Sequence, residues 1–183
     1  MKSRLLVALA ALVLTGITVV AAQKDPMVGG AAMYSSKNIV QNAMNSQDHT
    51  TLVAAVKAAG LVDTLEGPGP FTVFAPTNQA FAKLPAGTVD NLMKPENQEM
   101  LKNILTYHVV AGRLTISDIK KMIKEGHGTA ELKTVNGGTL SATESNGKIM
   151  LKDEKGGVAA ITIPNVYQSN GIIQVVNAVL LPS

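Results

Sequence analysis

The spacing of apolar residues divides the chain into a helical part followed by a strand-rich part. Apolar side chains recur every three or four positions over residues 38–61, 95–110 and 117–126, which is the spacing of amphipathic helices. From about Thr129 onward the period falls to two, and the short apolar runs are separated by Asn-Gly and Gly-Gly sequences that are typical of hairpin turns. Helices first and antiparallel strands later predict an α+β fold.

One early segment, "FTVFAPTNQAF", contains all three phenylalanines of the chain: Phe71, Phe74 and Phe81. The alternation of its first residues predicts a strand, after which Pro76 sets a corner and Thr77 or Asn78 can cap a short helix. We expect the three rings to form one buried nucleus that joins the helices to the sheet, since each ring buries roughly 150 to 250 Å². An exposed aromatic platform for a ligand is the alternative.

The N-terminus carries the pattern of a secretory signal peptide. A basic start precedes an apolar run over residues 5–20, and two alanines follow at a suitable cleavage site. The run is slightly shorter than the roughly 20 residues that span a bilayer, so we predict cleavage, with an uncleaved membrane anchor as the alternative. We therefore expect a signal peptide at 1–22, an N-terminal arm at 23–36 and one domain at 37–183, in a secreted or periplasmic protein.

Composition narrows the classes of function. The chain has 16 Lys+Arg and 13 Asp+Glu, and two of the basic residues lie in the predicted signal peptide, so the remaining net charge is near +1. This balance, with aromatic residues at 3%, argues against nucleic-acid binding. The absence of cysteine excludes disulfides, zinc–thiolate sites and thiol nucleophiles.

Three segments together carry a resemblance to a known family. They are "GPFTVFAPTNQAF" at 69–81, "LTYHVVAGRLT" at 105–115 and "NGIIQVVNAVLLP" at 170–182. In order and content they resemble a fasciclin domain of the type repeated in periostin. The resemblance implies a helical layer packed on an antiparallel β-sandwich or wedge. It also implies a monomeric, non-enzymatic adhesion domain that binds a protein or polysaccharide of the cell envelope or extracellular matrix.

The resemblance singles out Tyr107 and His108 as candidate partner-binding residues, because in animal members this neighbourhood is associated with integrin binding. The residues themselves favour a structural role. His108 falls near the C-terminal end of a predicted helix, where it can donate to free carbonyl groups and where the helix dipole favours a partly positive imidazole. We expect Tyr107 to be half buried, with its hydroxyl hydrogen-bonded.

The third segment departs from the family pattern at two positions. The family commonly reads Asn-Gly-x-x-His-x-x-Asp, whereas this chain has Gln174 and Asn177 in place of the histidine and the aspartate. Both replacements keep hydrogen-bonding shape but remove an ionisable group. A His–Asp proton relay is therefore not available at this strand, which weakens any metal-binding or pH-sensing role for the pair.

The search for catalytic motifs favours a protein that is not an enzyme. The three histidines, His49, His108 and His127, do not share a metal-ligand spacing. Asp153 and Glu154 are predicted to lie in an exposed turn. We predict no cofactor, no metal and no membrane insertion after signal cleavage. A carrier for a small apolar ligand is the alternative if the fold encloses several hundred Å³, and a hydrolase would need two buried ionisable groups converging in a pocket.

Overall fold

The computed structural model describes residues 25–183, so the predicted signal peptide at 1–22 lies outside the described residues. The helices precede the later strands, as predicted, but the sequence did not predict the short strands at 27–32 or the strand at 109–111, where a helix was expected to continue to residue 110. Nine strands are present in the described part: β1 (Met27–Val28), β2 (Ala31–Ala32), β3 (Phe71–Pro76), β4 (Val109–Ala111), β5 (Ala130–Lys133), β6 (Thr139–Ser145), β7 (Lys148–Lys152), β8 (Val158–Gln168) and β9 (Gly171–Val176). The α-helices of the same part are α1 (Ile39–Ala43), α2 (Thr50–Ala58), α3 (Val62–Glu66), α4 (Asn78–Ala82), α5 (Thr88–Leu92), α6 (Gln98–Tyr107) and α7 (Ile116–Glu125). Two 3₁₀-helices, Gln47–His49 and Pro95–Asn97, precede α2 and α6.

Seven strands form one curved sheet in the order β4-β3-β9-β8-β7-β6-β5. From β5 to β9, each strand pairs antiparallel with the next one along the chain, as predicted. Strand β3, however, runs parallel to β9. The sheet is therefore mixed, and the expectation of a purely antiparallel sandwich is wrong in this respect. The two edge strands meet through a bridge between Val110 and Thr134, and the Val135 N–H donates to the Val109 carbonyl at 2.7 Å. The sheet is thus nearly closed into a barrel.

The side chains of β3 divide between two apolar cores. Phe74 is fully buried among α7 and the barrel strands, whereas Val73, Ala75 and Phe81 belong to the core beneath the other helices. Phe71 is only partly buried against that second core. The prediction of one nucleus of three rings is therefore wrong, because alternate residues of a strand point to opposite faces. The segment still joins the two halves, since β3 separates the two cores.

Local signals account for where the helices near β3 and β4 begin. The Thr77 hydroxyl accepts a hydrogen bond from the Ala80 N–H at 3.2 Å and caps α4, while Pro76 ends β3. Helix α7 begins with a capping box in which Thr115 and Asp118 each bond the other's backbone N–H. These caps fix where α4 begins after β3 and where α7 begins after β4.

The N-terminal arm is part of the folded body. Val28 and Met33 are buried in the core beneath the helices. The Asn42 side chain holds the backbone of Tyr34 from both sides, accepting from its N–H at 3.1 Å and donating to its carbonyl at 2.7 Å. In the hairpin of β1 and β2, the Gly29 carbonyl accepts a hydrogen bond from the Gln47 N–H at 3.0 Å. No helix within residues 25–183 combines the length and apolar character needed to cross a membrane.

Two neighbouring glycines test whether docking of the arm stabilises the domain. Gly29 and Gly30 both have positive φ, but a Cβ on Gly29 would lie 2.4 Å from the Ser46 hydroxyl, whereas one on Gly30 would meet no atom within 4 Å. We expect Gly30→Ala to cost about 1 kcal/mol from backbone strain. Gly29→Ala should cost about 2 kcal/mol beyond that, because it overpacks the contact. Denaturant unfolding measures both variants, and equal losses would show that the arm adds nothing to stability.

Candidate functional site

Tyr107 lies at the end of α6 and is fully buried. Its hydroxyl donates to the Thr139 carbonyl at 2.8 Å and accepts the Glu154 N–H at 3.2 Å. Its ring packs so closely on Gly138 that a Cβ there would lie 2.8 Å from the ring. Burial raises the pKa of Tyr107 to about 12. The residue is more deeply buried than predicted, and its polar group is used inside the domain.

His108 caps α6 and uses both of its ring nitrogens. Nδ1 donates to the Ile104 carbonyl at 2.8 Å, and Nε2 accepts the N–H of Leu180 at 3.0 Å. An imidazole that donates from one nitrogen and accepts on the other is neutral and in a single tautomer. Burial lowers the pKa of His108 to about 4. The expected interaction with a helix carbonyl is present, but the prediction of a partly positive imidazole is wrong.

The partner-binding interpretation of this pair requires exposure that the fold does not provide. Tyr107 is 0% exposed and His108 is 2% exposed. A partner could reach either side chain only if the surrounding structure opened. The pair therefore lies inside the domain, between the end of α6 and the C-terminal residues.

Asp153 and Glu154 join His108 in holding the end of the chain, and we call these three residues the C-terminal clamp. The Asp153 carboxylate accepts the Leu181 N–H at 2.8 Å, and the Glu154 carboxylate accepts the Ser183 N–H at 3.0 Å. With the bond between His108 and Leu180, three side chains thus satisfy three backbone donors of a segment that forms no strand.

The exposed-turn prediction is wrong for Asp153, which is 6% exposed. Its other carboxylate oxygen accepts the N–H groups of Lys155 and Gly157 at 3.0 and 2.6 Å, so both of its oxygens bond to backbone groups of the domain. Glu154 is exposed, as predicted. Hydrogen bonds from the backbone N–H groups of Ser183 and Thr139 lower the pKa of Glu154.

The two residues that depart from the family pattern also make internal hydrogen bonds. Gln174 is fully buried on β9. Its oxygen accepts the Asn165 N–H at 2.9 Å, and its amide nitrogen donates to the Leu114 carbonyl at 2.9 Å and to Asn165 Oδ1 at 3.2 Å. Asn177 accepts the Ala160 N–H on Oδ1 at 2.8 Å. Neither side chain needs to titrate for these bonds to form.

Replacing Gln174 tests the value of this network. Gln174→Met keeps a similar volume but leaves the Leu114 carbonyl and the Asn165 N–H without partners in the core. We expect a loss of about 2 kcal/mol in the free energy of unfolding. Asn177→Asp serves as the control, because a carboxylate can still accept the Ala160 N–H at a half-buried site, and it should change stability by less than about 1 kcal/mol. Urea unfolding measures the stability of both variants. If Gln174→Met were as stable as the parent chain, the structural role of Gln174 would be contradicted.

The internal cavities of the described part are small. An apolar cavity between α1, α2 and β3 has a volume of about 30 Å³, and Lys57 is among the residues that line it. A second apolar cavity of about 20 Å³ borders His49, whose Nδ1 lies 2.9 Å from the Ser46 hydroxyl and whose Nε2 has no hydrogen-bond partner within residues 25–183. Burial lowers the pKa of His49. Each volume accommodates about one water molecule, far below the several hundred Å³ that a carrier site requires.

The remaining charged residues do not converge on a catalytic or metal-binding group within the described residues. Among residues 25–183, no three His, Asp or Glu side chains are placed to hold a metal ion. Lys120 pairs with Glu144 at 2.7 Å, and Lys121 lies 3.9 Å from Glu125, so these two lysines of α7 have acidic partners on the surface. His108 and Asp153 are both buried, but each is fully engaged with backbone groups.

Comparison with known proteins identifies the family. A family model described as the fasciclin domain matches residues 47–182. The chain belongs to the fasciclin domain family. Its match to protein sll1483 of Synechocystis is 42% identical over 160 residues and covers 87% of this chain and 82% of that protein. The resemblance stated from the three sequence segments is therefore confirmed.

Two mycobacterial proteins are further relatives of the chain. The immunogenic protein MPB70 of Mycobacterium bovis is 37% identical over 145 residues, covering 76% of this chain and 66% of that protein. The cell surface glycolipoprotein MPB83 of the same species is 34% identical over 167 residues, covering 88% and 68%. Fasciclin domains are generally secreted, adhesion-related and non-enzymatic.

A solved structure confirms the α+β fasciclin fold. The FAS1 domain pair of the insect cell adhesion molecule fasciclin I superimposes with a TM-score of 0.70 at 21% identity. The match covers 79% of this chain and 51% of that chain, so this chain spans about half the length of the insect pair. At this identity the likeness shows the fold alone.

Sequence reasoning missed two buried polar residues that organise the site. Asp153 gave no periodic signal, and its partner Leu181 lies 28 residues away. Asn170 accepts the Ile39 N–H at 3.0 Å and donates to the Leu65 and Gly67 carbonyls at 2.7 and 2.9 Å. The "NG" in the third segment marks the position of Asn170, but as a turn signal it does not reveal these long-range bonds.

Proposed function

We propose that this fasciclin domain is a non-enzymatic interaction module outside the cytoplasm that binds a protein or polysaccharide of the cell envelope through its outer surface. The observation that carries the proposal is the use of the candidate polar side chains. Tyr107, His108, Gln174 and Asn177 all bond to backbone groups of the domain itself. Tyr107, His108 and Gln174 are also buried, and a side chain that is buried and bonded in this way is not free to meet a partner or a substrate.

The cavities support an interaction module over a carrier. A carrier must enclose most of an apolar ligand, whereas the two apolar cavities described above are the size of a water molecule. Clefts of several hundred Å³ within residues 25–183 lie instead on the outside and have mixed polar and apolar walls. Recognition at the surface fits this distribution of volume, and it needs only a monomer.

Retention of envelope material on immobilised protein tests the proposal. Beads carrying residues 23–183 would be incubated with envelope material from the producing cell, either untreated, digested with a broad protease, or oxidised with periodate. Binding lost after protease identifies a protein partner, and binding lost after periodate identifies a glycan. Beads carrying the thermally unfolded chain provide the control. Equal retention by folded and unfolded chains, or no retention at all, would contradict the proposed function.

A further inference from the structure

An open cleft of about 460 Å³ lies between the N-terminal arm and the middle of β8. Four polar residues line it: Asp25, Ser35, Asn165 and Tyr167. Pro26, Met33 and Pro164 supply the apolar part of its wall. The volume falls within the range of about 300 to 1,000 Å³ that is typical of small-ligand sites. The three residues of the C-terminal clamp do not line this cleft.

Asn165 is held in the cleft wall by the fold. Its Oδ1 accepts the Ile116 N–H at 2.9 Å and the Gln174 amide at 3.2 Å, which leaves the N–H groups of its own amide nitrogen as the free end. Its backbone has a φ of 55°, a left-handed conformation that asparagine adopts more readily than most residues, at an irregularity in the pairing of β8 with β9. Gln174, the residue that departs from the family pattern, contacts both its backbone N–H and its Oδ1.

The other polar groups of the cleft lack internal partners. The Asp25 carboxylate and the hydroxyls of Ser35 and Tyr167 make no hydrogen bond to any residue in the 25–183 range. Asp25 and Tyr167 are half-buried and Ser35 is exposed, so all three are accessible from solvent. Together with Asn165 they offer an anionic acceptor, a fixed donor and two hydroxyls that both donate and accept.

This combination matches the chemistry of an uncharged sugar. Sugar hydroxyls donate and accept, and their apolar C–H faces pack on rings such as Tyr167 and the two prolines. The one charged group in the wall is the Asp25 carboxylate, which can accept from hydroxyls but repels an anionic glycan. A peptide would add to a free strand edge. Strand β8 pairs with β7 only over Val158–Ala160, but at the cleft Pro164 has no N–H to donate and the Asn165 N–H already donates to Gln174, so this stretch is a poor template for strand addition.

We infer that the cleft formed by Asp25, Ser35, Asn165 and Tyr167 is a binding site for a short segment of an uncharged glycan. The inference rests on the proposed function and specifies both the surface used and the class of partner. A chain of two or three sugar rings would lie across Pro164, with Asn165 donating to one ring and Asp25 accepting from another.

The test is a titration of ¹⁵N-labelled protein, residues 23–183, followed by NMR. The probes are trisaccharides of glucose, N-acetylglucosamine and mannose at up to about 10 mM, a range that detects millimolar affinity. A galacturonate trisaccharide tests the exclusion of anionic glycans. We expect one neutral probe to shift the amide signals of the arm and of residues 165–167, and the galacturonate probe to bind at least about tenfold more weakly.

Conservative variants test the residues themselves. Asp25→Asn should weaken binding about tenfold, and Ser35→Ala and Tyr167→Phe about three- to fivefold each. Asp63→Asn and Ser169→Ala, at exposed positions outside the cleft, are the matched controls and should bind like the parent chain.

The outcomes separate this inference from the proposed function. If a neutral probe bound but the cleft variants did not weaken its binding, the cleft would not be the binding site. The proposed function as a glycan-binding adhesion module would still stand. A failure of all neutral probes to bind would overturn the inference, and the retention of envelope material on beads would still decide the proposed function independently. Retention that survives periodate but not protease would also overturn the glycan assignment.

Discussion

Replacing Phe74 by alanine is expected to lower the free energy of unfolding by about 3 to 5 kcal/mol. Phe74 is 0% exposed and lies among α7, the barrel strands and the buried C-terminal Leu180. Removing its ring would leave a cavity at the centre of the core enclosed by the sheet. Urea unfolding followed by circular dichroism measures the loss.

Two further substitutions make the Phe74 result specific. Phe74→Leu keeps most of the buried volume and should lose less than half as much. Phe71→Ala should also lose less, because Phe71 is only partly buried on the opposite face of β3. If Phe74→Ala retained full stability but lost retention of envelope material, the ring would be an exposed platform and the described core would be wrong.

The second large effect is a loss of stability in mild acid. Burial lowers the pKa of His108 from 6.5 to about 4 in the folded state. Between these values the unfolded chain binds a proton that the folded chain does not, so stability is full above about pH 6.5 and falls as the pH decreases toward 4. The total is about 3 kcal/mol, of which about 2 kcal/mol is lost between pH 7 and 5. Unfolding curves across this range measure it.

His108→Gln should be less stable at neutral pH and should lose most of this pH dependence. His127→Asn, at an exposed histidine with a φ of 54° that asparagine tolerates, is the matched control and should keep it. His49, whose pKa burial also lowers, contributes in the same direction and accounts for the remaining slope. A parent chain equally stable at pH 7 and 5 would contradict the neutral, doubly bonded state of His108.

The sequence predicted what depends on neighbouring residues. The helical spacing, the change to a period of two after Thr129 and the turn sequences established the α+β class and the order of elements. Thr77 was one of two neighbouring residues predicted as the helix cap, because a cap and its partner, here Ala80, are only three residues apart. The opposite orientation of Phe71 and Phe74 could also have been deduced, since an odd separation within a strand reverses the face.

The sequence did not predict what depends on residues far apart along the chain. The parallel pairing of β3 with β9 places Phe74 opposite Gln174, and no local pattern specifies it. The neutral state of His108 depends on the N–H of Leu180, 72 residues later. Asp153 looked like a surface residue because its neighbours are polar, and it is buried because the C-terminal residues fold over it.

The departures from the family pattern illustrate the same limit. The sequence showed that Gln174 and Asn177 remove two ionisable groups, but not what the amides do instead. In the structure Gln174 accepts the Asn165 N–H and donates to Asn165 Oδ1, at the wall of a surface cleft. The replacement therefore changes the chemistry offered to a partner without exposing Gln174 itself.

The central claim is that Tyr107 and His108 act inside the domain and that binding occurs on its outer surface. The most direct measurement compares retention of envelope material by the parent chain, Tyr107→Phe and His108→Gln at neutral pH. Near-ultraviolet circular dichroism must first show that each variant is folded. The account predicts unchanged retention by both folded variants. A folded variant that retains no envelope material would contradict it and would make the buried pair the binding site.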